Sequence, residues 1–214
     1  MRMVVLASRN RDKLRELREI LASVGVEAAA LPETAPEVEE TGATFFENAA
    51  LKALSAYRAT GLPSVADDSG LCVDALGGGP GVLSARYAGP NATNDANNER
   101  LVHDLRGVAD RAAHYHCAIA LVCRRSDLAL PAPGVHESWP GLPDDAVLVE
   151  SRGRVDGVIV DTPHGTGGFG YDPHFFLPEL GRTFAEIPAD EKHALSHRGR
   201  ALRDLSDFLR SYAR

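Results

Sequence analysis

Residues 3–25, MVVLASRNRDKLRELREILASVG, contain the change of hydrophobic period that sets the fold. The stretch begins as a short apolar, β-rich run. Leu14, Leu17, Ile20, Leu21 and Val24 then recur at three- and four-residue spacings until Gly25 ends the pattern. The chain therefore opens as strand, tight turn and helix. The turn is Ser8-Arg9-Asn10-Arg11-Asp12-Lys13, in which Ser8 or Asn10 is able to cap the helix and Lys13 stands one turn inside it. Free N–H groups at a helix start, flanked by hydroxyl, amide and ammonium groups, make an anion site. An ordinary capped surface helix would show the same residues.

Working outward, Thr44-Phe45-Phe46-Glu47 has the spacing of a capping box. It predicts a helix to about Thr60, with Phe46, Ala50, Ala53, Leu54 and Tyr57 on its buried side. Residues 62–76, LPSVADDSGLCVDAL, read as a buried strand, an acidic turn and a second short strand. Successive strand side chains face opposite ways, so Asp67 and Asp68 cannot both enter one core and at least one should meet solvent, metal or ligand. Residues 77–95 are a loop rich in Gly, Pro and Asn, and residues 97–105 begin another helix. The clearest strand is 114–124, HYHCAIALVCR. Residues 146–161, AVLVESRGRVDGVIVD, read as a hairpin turning near Arg152 and Gly153. Residues 196–212 form an amphipathic helix through Leu202, Leu205, Phe208, Leu209 and Tyr212. Strands mixed with helices, one hairpin included, predict an α/β fold whose sheet is not purely parallel.

Residues 165–176, GTGGFGYDPHFF, place four glycines in six positions before two phenylalanines. Glycine lets the backbone take positive φ and lets another group lie flat against the chain. The stretch is either a loop pressed around a ligand or a piece of close fold geometry.

The composition is that of an ordinary globular protein: 214 residues, 44% hydrophobic and 25% charged, consistent with one domain. The apolar run at the start is far shorter than the ~20 residues of a membrane helix and short for a signal peptide. A cytoplasmic protein without a membrane partner is expected. Cys72, Cys117 and Cys123 cannot all pair and form no C-x-x-C pattern, as expected for reduced thiols. A net charge of −7 argues against a broad basic face for polymeric nucleic acid, yet allows a local basic pocket for a small anion.

His114 to Cys117 contain zinc-type ligands, but no second His/Cys pair stands at a matching spacing. Ser69, His197 and Asp172 would supply a hydrolase triad, but no G-x-S-x-G elbow exposes the serine. Glu40, Asp67 and Asp68 are hard oxygen ligands suited to magnesium, and Lys13, Lys52, Lys192, His197 and Arg198 are donors suited to a polyphosphate. Which carboxylate would accept a proton is open.

Taken together, SRNRDK, EETGATFFENA, ADDSG, GGPGVLSARYAG, GTGGFGYDPHFF and SHRG resemble, in order and from residue 8 to residue 199, the inosine triphosphate pyrophosphatase family, also called Ham1-like. The resemblance implies one domain over residues 1–214, with an elongated mixed β-sheet flanked by helices, two lobes and a central active-site groove, assembled as a homodimer. It implies Mg²⁺-dependent hydrolysis of the nucleoside triphosphates dITP, ITP and XTP to monophosphate and pyrophosphate, which keeps deaminated purines out of DNA and RNA. Ser8, Arg9, Asn10, Arg11, Asp12 and Lys13 would grip phosphates, and Lys52 would approach the triphosphate. Glu40 and Asp68 would hold the metal, Asp68 would also accept the proton, and Ser69 would touch substrate. Phe169, Gly170, Tyr171, Asp172, Lys192, His197 and Arg198 would line the base and sugar end, with Phe169 or Tyr171 stacking on the purine. Arg9 stands where relatives often carry a small residue, and residues 125 to 160 are longer than in compact members. A sister pyrophosphatase for pyrimidine triphosphates shares the S-x-N-x-x-K-like opening but differs in its end motifs. A non-catalytic nucleotide-binding regulator would not need the two metal carboxylates.

Overall fold

The structure, a computed structural model, describes residues 3–23 and 25–213, with only the backbone at Arg11, Asp12 and Glu16. Val24 of the periodic pattern therefore lies outside the described residues. The chain runs β1 (Met3–Leu6), α1 (Arg11–Ser23), β2 (Glu27–Ala30), α2 (Phe45–Thr60), β3 (Ser64–Val73), α3 (Asn94–Asp104) and β4 (Ala112–Arg124). It continues through β5 (Val135–His136), β6 (Ala146–Ile159), β7 (Phe175–Leu177), β8 (Arg182–Thr183), α4 (Ala189–Leu195) and α5 (His197–Tyr212). Short 3₁₀ turns at Asp74–Leu76 and Gly81–Arg86 follow β3.

The strands form one mixed sheet in the order β2-β1-β3-β4-β6-β7-β8, with β5 paired to β6. β1 is parallel to both β2 and β3, whereas β6 is antiparallel to β5 and β7, and β7 to β8. This is the α/β fold with a sheet that is not purely parallel. The chain divides into two compact units, one of Met1–Asp68, Cys117–Gly153 and Arg198–Arg214, the other of Ser69–His116 and Arg154–His197.

In the first unit the two-residue period of the strands feeds two apolar layers. Val4, Leu6, Val65, Ile119, Leu121 and Val147 pack with Leu17 and Leu21 of α1 and Leu202, Leu205 and Leu209 of α5. Ala66, Ala118, Ala120, Val122 and Leu148 point the other way and pack under Ala49, Ala50, Ala53, Leu54 and Tyr57 of α2. The small residues on this second face let α2 approach the sheet closely. The second unit has its own core, built from Leu71, Val73, Leu101, Leu105, Tyr115, Val155, Phe175 and Phe184 among others.

The predicted α2 is present with its full capping box. Thr44 Oγ1 accepts from the Glu47 N–H at 3.2 Å, and the Glu47 carboxylate accepts from the Thr44 N–H at 3.1 Å. Two turn expectations are corrected. Residues 64–73 contain no acidic turn: β3 is one ten-residue strand with Asp67 and Asp68 at its middle, buried to 1% and 7% exposure. The strand has no need to turn towards water, because cations come to it from both faces. Residues 146–159 are likewise one strand, not a hairpin. Gly153 is not among the glycines of positive φ, the conformation a two-residue hairpin turn demands. Burial alternates without a break from Ser151 to Asp156, Ser151, Gly153 and Val155 inward and Arg152, Arg154 and Asp156 outward.

Candidate active site

In the first unit the turn after β1 is held by its own polar side chains. Ser8 Oγ accepts from the Asn10 N–H at 3.2 Å, and Asn10 Oδ1 accepts from the Lys13 N–H at 3.1 Å. The Asn10 carbonyl takes the Leu14 N–H at 3.0 Å, so Asn10 caps α1. The Arg9 guanidinium reaches the Glu37 carboxylate at 3.1 Å and the Ala35 carbonyl at 3.0 Å. The side chains of Arg11 and Asp12 lie outside the described residues.

The cap fixes Lys13 in the first turn, where its ammonium lies 3.2 Å from Asp67 Oδ2. Arg198, the second residue of α5, donates its Nε to the same oxygen at 3.2 Å. Arg198, expected with the base and sugar residues, has its guanidinium buried in the first unit against Asp67, where the α5 layer covers that face of β3. Burial pushes the Asp67 carboxyl up, but Lys13, Arg198 and Lys52 outweigh it and hold the group well below the usual carboxylate range. Asp67 is thus the shared anchor of two cations.

Asp68 points to the opposite face, under α2. Its Oδ2 accepts from Asn48 Nδ2 at 3.2 Å, and its Oδ1 lies 3.7 Å from Lys52 Nζ. Lys52 donates to Glu40 Oε1 at 2.7 Å, so one ammonium joins both carboxylates. Burial pushes the Asp68 carboxyl up, with Glu40 adding to the rise and Lys52 and Lys13 opposing it. For Lys52, burial lowers the pKa, but Asp68, Asp67 and Glu40 together raise it above its ordinary value. Sequence reasoning grouped Asp67 with Glu40 and Asp68 as a magnesium-type ligand, whereas here it pairs with Lys13 and Arg198; to Asn48 it assigned no site role. Asn48 has a signal in retrospect: it is an amide one residue after the capping glutamate, on the face of α2 that turns inward.

The second unit holds the other expected residues. Asp172 Oδ2 accepts from the Phe169 N–H at 2.8 Å and from Lys192 Nζ at 2.5 Å. Lys192 also sits 5.3 Å above the Phe169 ring, which remains 37% exposed. Tyr171 is turned into the core, its hydroxyl donating to the Ser84 carbonyl at 2.7 Å. Of the two aromatics, Phe169 therefore has the accessible face. His197 is 7% exposed and stacks on Tyr115 with ring centroids 4.7 Å apart. Ser69 is half-buried and follows Asp68 directly in β3.

The glycine stretch is mostly close protein packing. A Cβ on Gly165 would meet the Ala185 backbone at 2.5 Å, and one on Gly167 would meet the Ala185 carbonyl oxygen at 2.9 Å. A Cβ on Gly168 would fall 2.0 Å from Asp172 Oδ2, at a φ of +72°. These three glycines make room for other parts of the chain, whereas Gly170, at φ +64°, has open space around it. Gly168→Ala is therefore expected to lower stability by about 2 kcal/mol or more, combining backbone strain with displacement of the Asp172 carboxylate. Chemical unfolding of the variant checks this; a midpoint equal to wild type would refute the packing argument.

Residues 4–208 match the Ham1 family. The chain is 48% identical over 215 residues to a dITP/XTP pyrophosphatase of Salmonella paratyphi A, covering 99% of this chain and all of that protein. Among solved structures, a HAM1 protein from Coxiella burnetii superposes with a TM-score of 0.84 at 40% identity, covering 99% of this chain and 100% of that one. A nucleoside-triphosphatase, dITP/XTP pyrophosphatase, from Mycobacterium abscessus gives 0.71 at 43% identity, covering 95% and 98%.

Proposed function

The chain belongs to the Ham1 family, and from that premise we propose that it hydrolyses dITP, ITP and XTP to the nucleoside monophosphate and pyrophosphate. The observation that carries the reading is the interlocked set on β3: Asp67 with Lys13 and Arg198, and Asp68 with Lys52 and Glu40. Three cations set among buried carboxylates suit a ligand that is itself polyanionic and metal-bound.

The donor set fits Mg²⁺. Among the described residues no group of three or more His, Cys, Asp or Glu side chains could hold a metal alone. Magnesium commonly takes one or two carboxylates and completes its shell with substrate phosphates and water. Glu40 and Asp68 are such a pair, and when bound the ion would neutralise charge on the phosphate oxygens. Lys13, Lys52 and Arg198 bind the triphosphate and offset charge that shifts towards the leaving group. Asp68 accepts a proton from the attacking water as the water oxygen bonds to the α-phosphorus, and the bond from that phosphorus to the leaving pyrophosphate breaks. Phe169 stacks on the purine, and Lys192 and His197 lie at the base and sugar end. The reading includes assembly of the single-domain chain as a cytoplasmic homodimer. Among the described residues no helix is long and apolar enough to cross a membrane.

Pyrophosphate release from ITP, assayed with and without Mg²⁺, tests the reading. Release that needs Mg²⁺ supports it, and no release from ITP, dITP or XTP overturns it. Lys13→Ala is expected to lower kcat/KM roughly 10- to 100-fold and to a similar degree for every nucleotide, since a charge-assisted phosphate contact is worth about 1.5–3 kcal/mol and cannot sense the base. A loss that differs strongly among bases would remove Lys13 from the phosphate site.

A further inference from the structure

We infer that Asn48 is a positioning residue, whose side-chain amide locks the Asp68 carboxylate to the loop that carries Glu40. The inference rests on the role proposed above for those two carboxylates and assigns the group that sets their spacing.

Asn48 lies in the first turn of α2 and is fully buried. Both ends of its amide are used. Nδ2 donates to Asp68 Oδ2 at 3.2 Å, and Oδ1 accepts from the Gly42 N–H at 2.7 Å. Gly42 is two residues beyond Glu40 and is fitted to this contact: a Cβ there would meet Asn48 Oδ1 at 2.7 Å, the Asn48 backbone nitrogen at 2.9 Å and Glu47 Cβ at 2.6 Å. The next two amides are also held from α2, since Glu47 Oε2 accepts from the Ala43 N–H at 2.6 Å and the Thr44 N–H at 3.1 Å. Three consecutive backbone N–H groups are thus bound by two adjacent side chains of one helix turn. The loop bearing Glu40 is anchored to the element that grips Asp68.

The chemistry of the amide matters. A carboxylate has two oxygens and can rotate about its terminal torsion. With Oδ2 held by Asn48, Oδ1 is the oxygen presented to Lys52, whose ammonium also bonds Glu40. A side chain of the same branched shape without polar atoms would neither orient Asp68 nor hold Gly42. Partners of this kind around metal-binding side chains typically change metal affinity or activity by ~10- to 100-fold when removed.

The test uses Asn48→Leu, which keeps the branched shape but carries no polar atom, and Asn48→Ala, which leaves room for water. Each is compared with wild type for kcat and KM on ITP at saturating Mg²⁺, for thermal unfolding, and for direct binding of Mn²⁺ followed by electron paramagnetic resonance with an α,β-imido analogue of ITP. The expected result in folded protein is a ~10- to 100-fold loss of kcat and a comparable weakening of Mn²⁺ binding, with KM within about threefold. A purely structural role would lower the unfolding temperature while leaving kcat and Mn²⁺ affinity of the folded protein near wild type, and that pattern in either variant overturns the inference. Should the leucine variant not fold, the alanine variant carries the same two readings. Failure of the underlying functional reading would be seen in the wild type itself, as absent ITP hydrolysis or absent metal dependence.

Discussion

Asp68→Asn is expected to lower kcat for ITP by ~10² to 10⁴, the usual effect of losing a general base, while the protein still folds. The substitution preserves volume on a fully packed strand and leaves an amide oxygen able to accept from Asn48 Nδ2. It removes the charge that Lys52 faces at 3.7 Å, but Lys52 keeps its 2.7 Å bond to Glu40. The loss should therefore appear in turnover and metal dependence, with far-ultraviolet circular dichroism unchanged. A purified variant retaining more than about a tenth of wild-type kcat would remove Asp68 from the proposed role.

ITP and XTP are expected to be cleaved ~10⁴-fold better than ATP in kcat/KM, the scale reached when a site built for hydrogen bonding leaves its groups unpaired against the wrong ligand. The 6-oxo group of hypoxanthine and xanthine accepts hydrogen bonds where adenine donates them. The structure narrows the donors available for this. The Phe169 N–H is held by the Asp172 carboxylate, the Asp172 N–H by the Phe169 carbonyl, and Arg198 by Asp67. Lys192 is likewise bonded to Asp172, and His197, stacked on Tyr115, is the side chain of the second unit to which the proposal assigns the discrimination. Measuring kcat/KM for ITP, XTP and ATP in wild type and His197→Ala decides the matter. Equal rates on ATP and ITP in the wild type would sink the purine selectivity, and an unchanged ratio in the variant would clear His197 of it.

Elements whose signals are local were legible in the sequence. Thr44 and Glu47 lie three residues apart, and the box they make closes within one helix turn, so α2 could be read to its last residue. What escaped depends on partners far along the chain. An acidic pair such as Asp67 and Asp68 reads as a turn seeking water until Lys13, Lys52 and Arg198 arrive from distant segments and make a buried strand tolerable. Gly153 carries turn chemistry by type, yet the pairing of β6 along its length overrides that preference. The site divides in the same way. Lys13, Lys52, Glu40 and Asp68 could be named from motif and residue type, whereas Asn48 could not, because its importance lies in reaching Gly42 and Asp68 at once. Arg198 was grouped by motif neighbourhood with His197, and the peptide bond between them falls at a boundary of the two units.

The alternation of Asp67 and Asp68 along β3 also sends them to different helices. On the α1 and α5 side Asp67 meets Lys13 and Arg198, while on the α2 side Lys52 meets Asp68 and Glu40. The three cations come from α1, α2 and α5, segments far apart in the chain. The burial of β3 is therefore tied to the docking of three helices at once, and a helix that shifts withdraws a charge from a carboxylate that has no water to replace it.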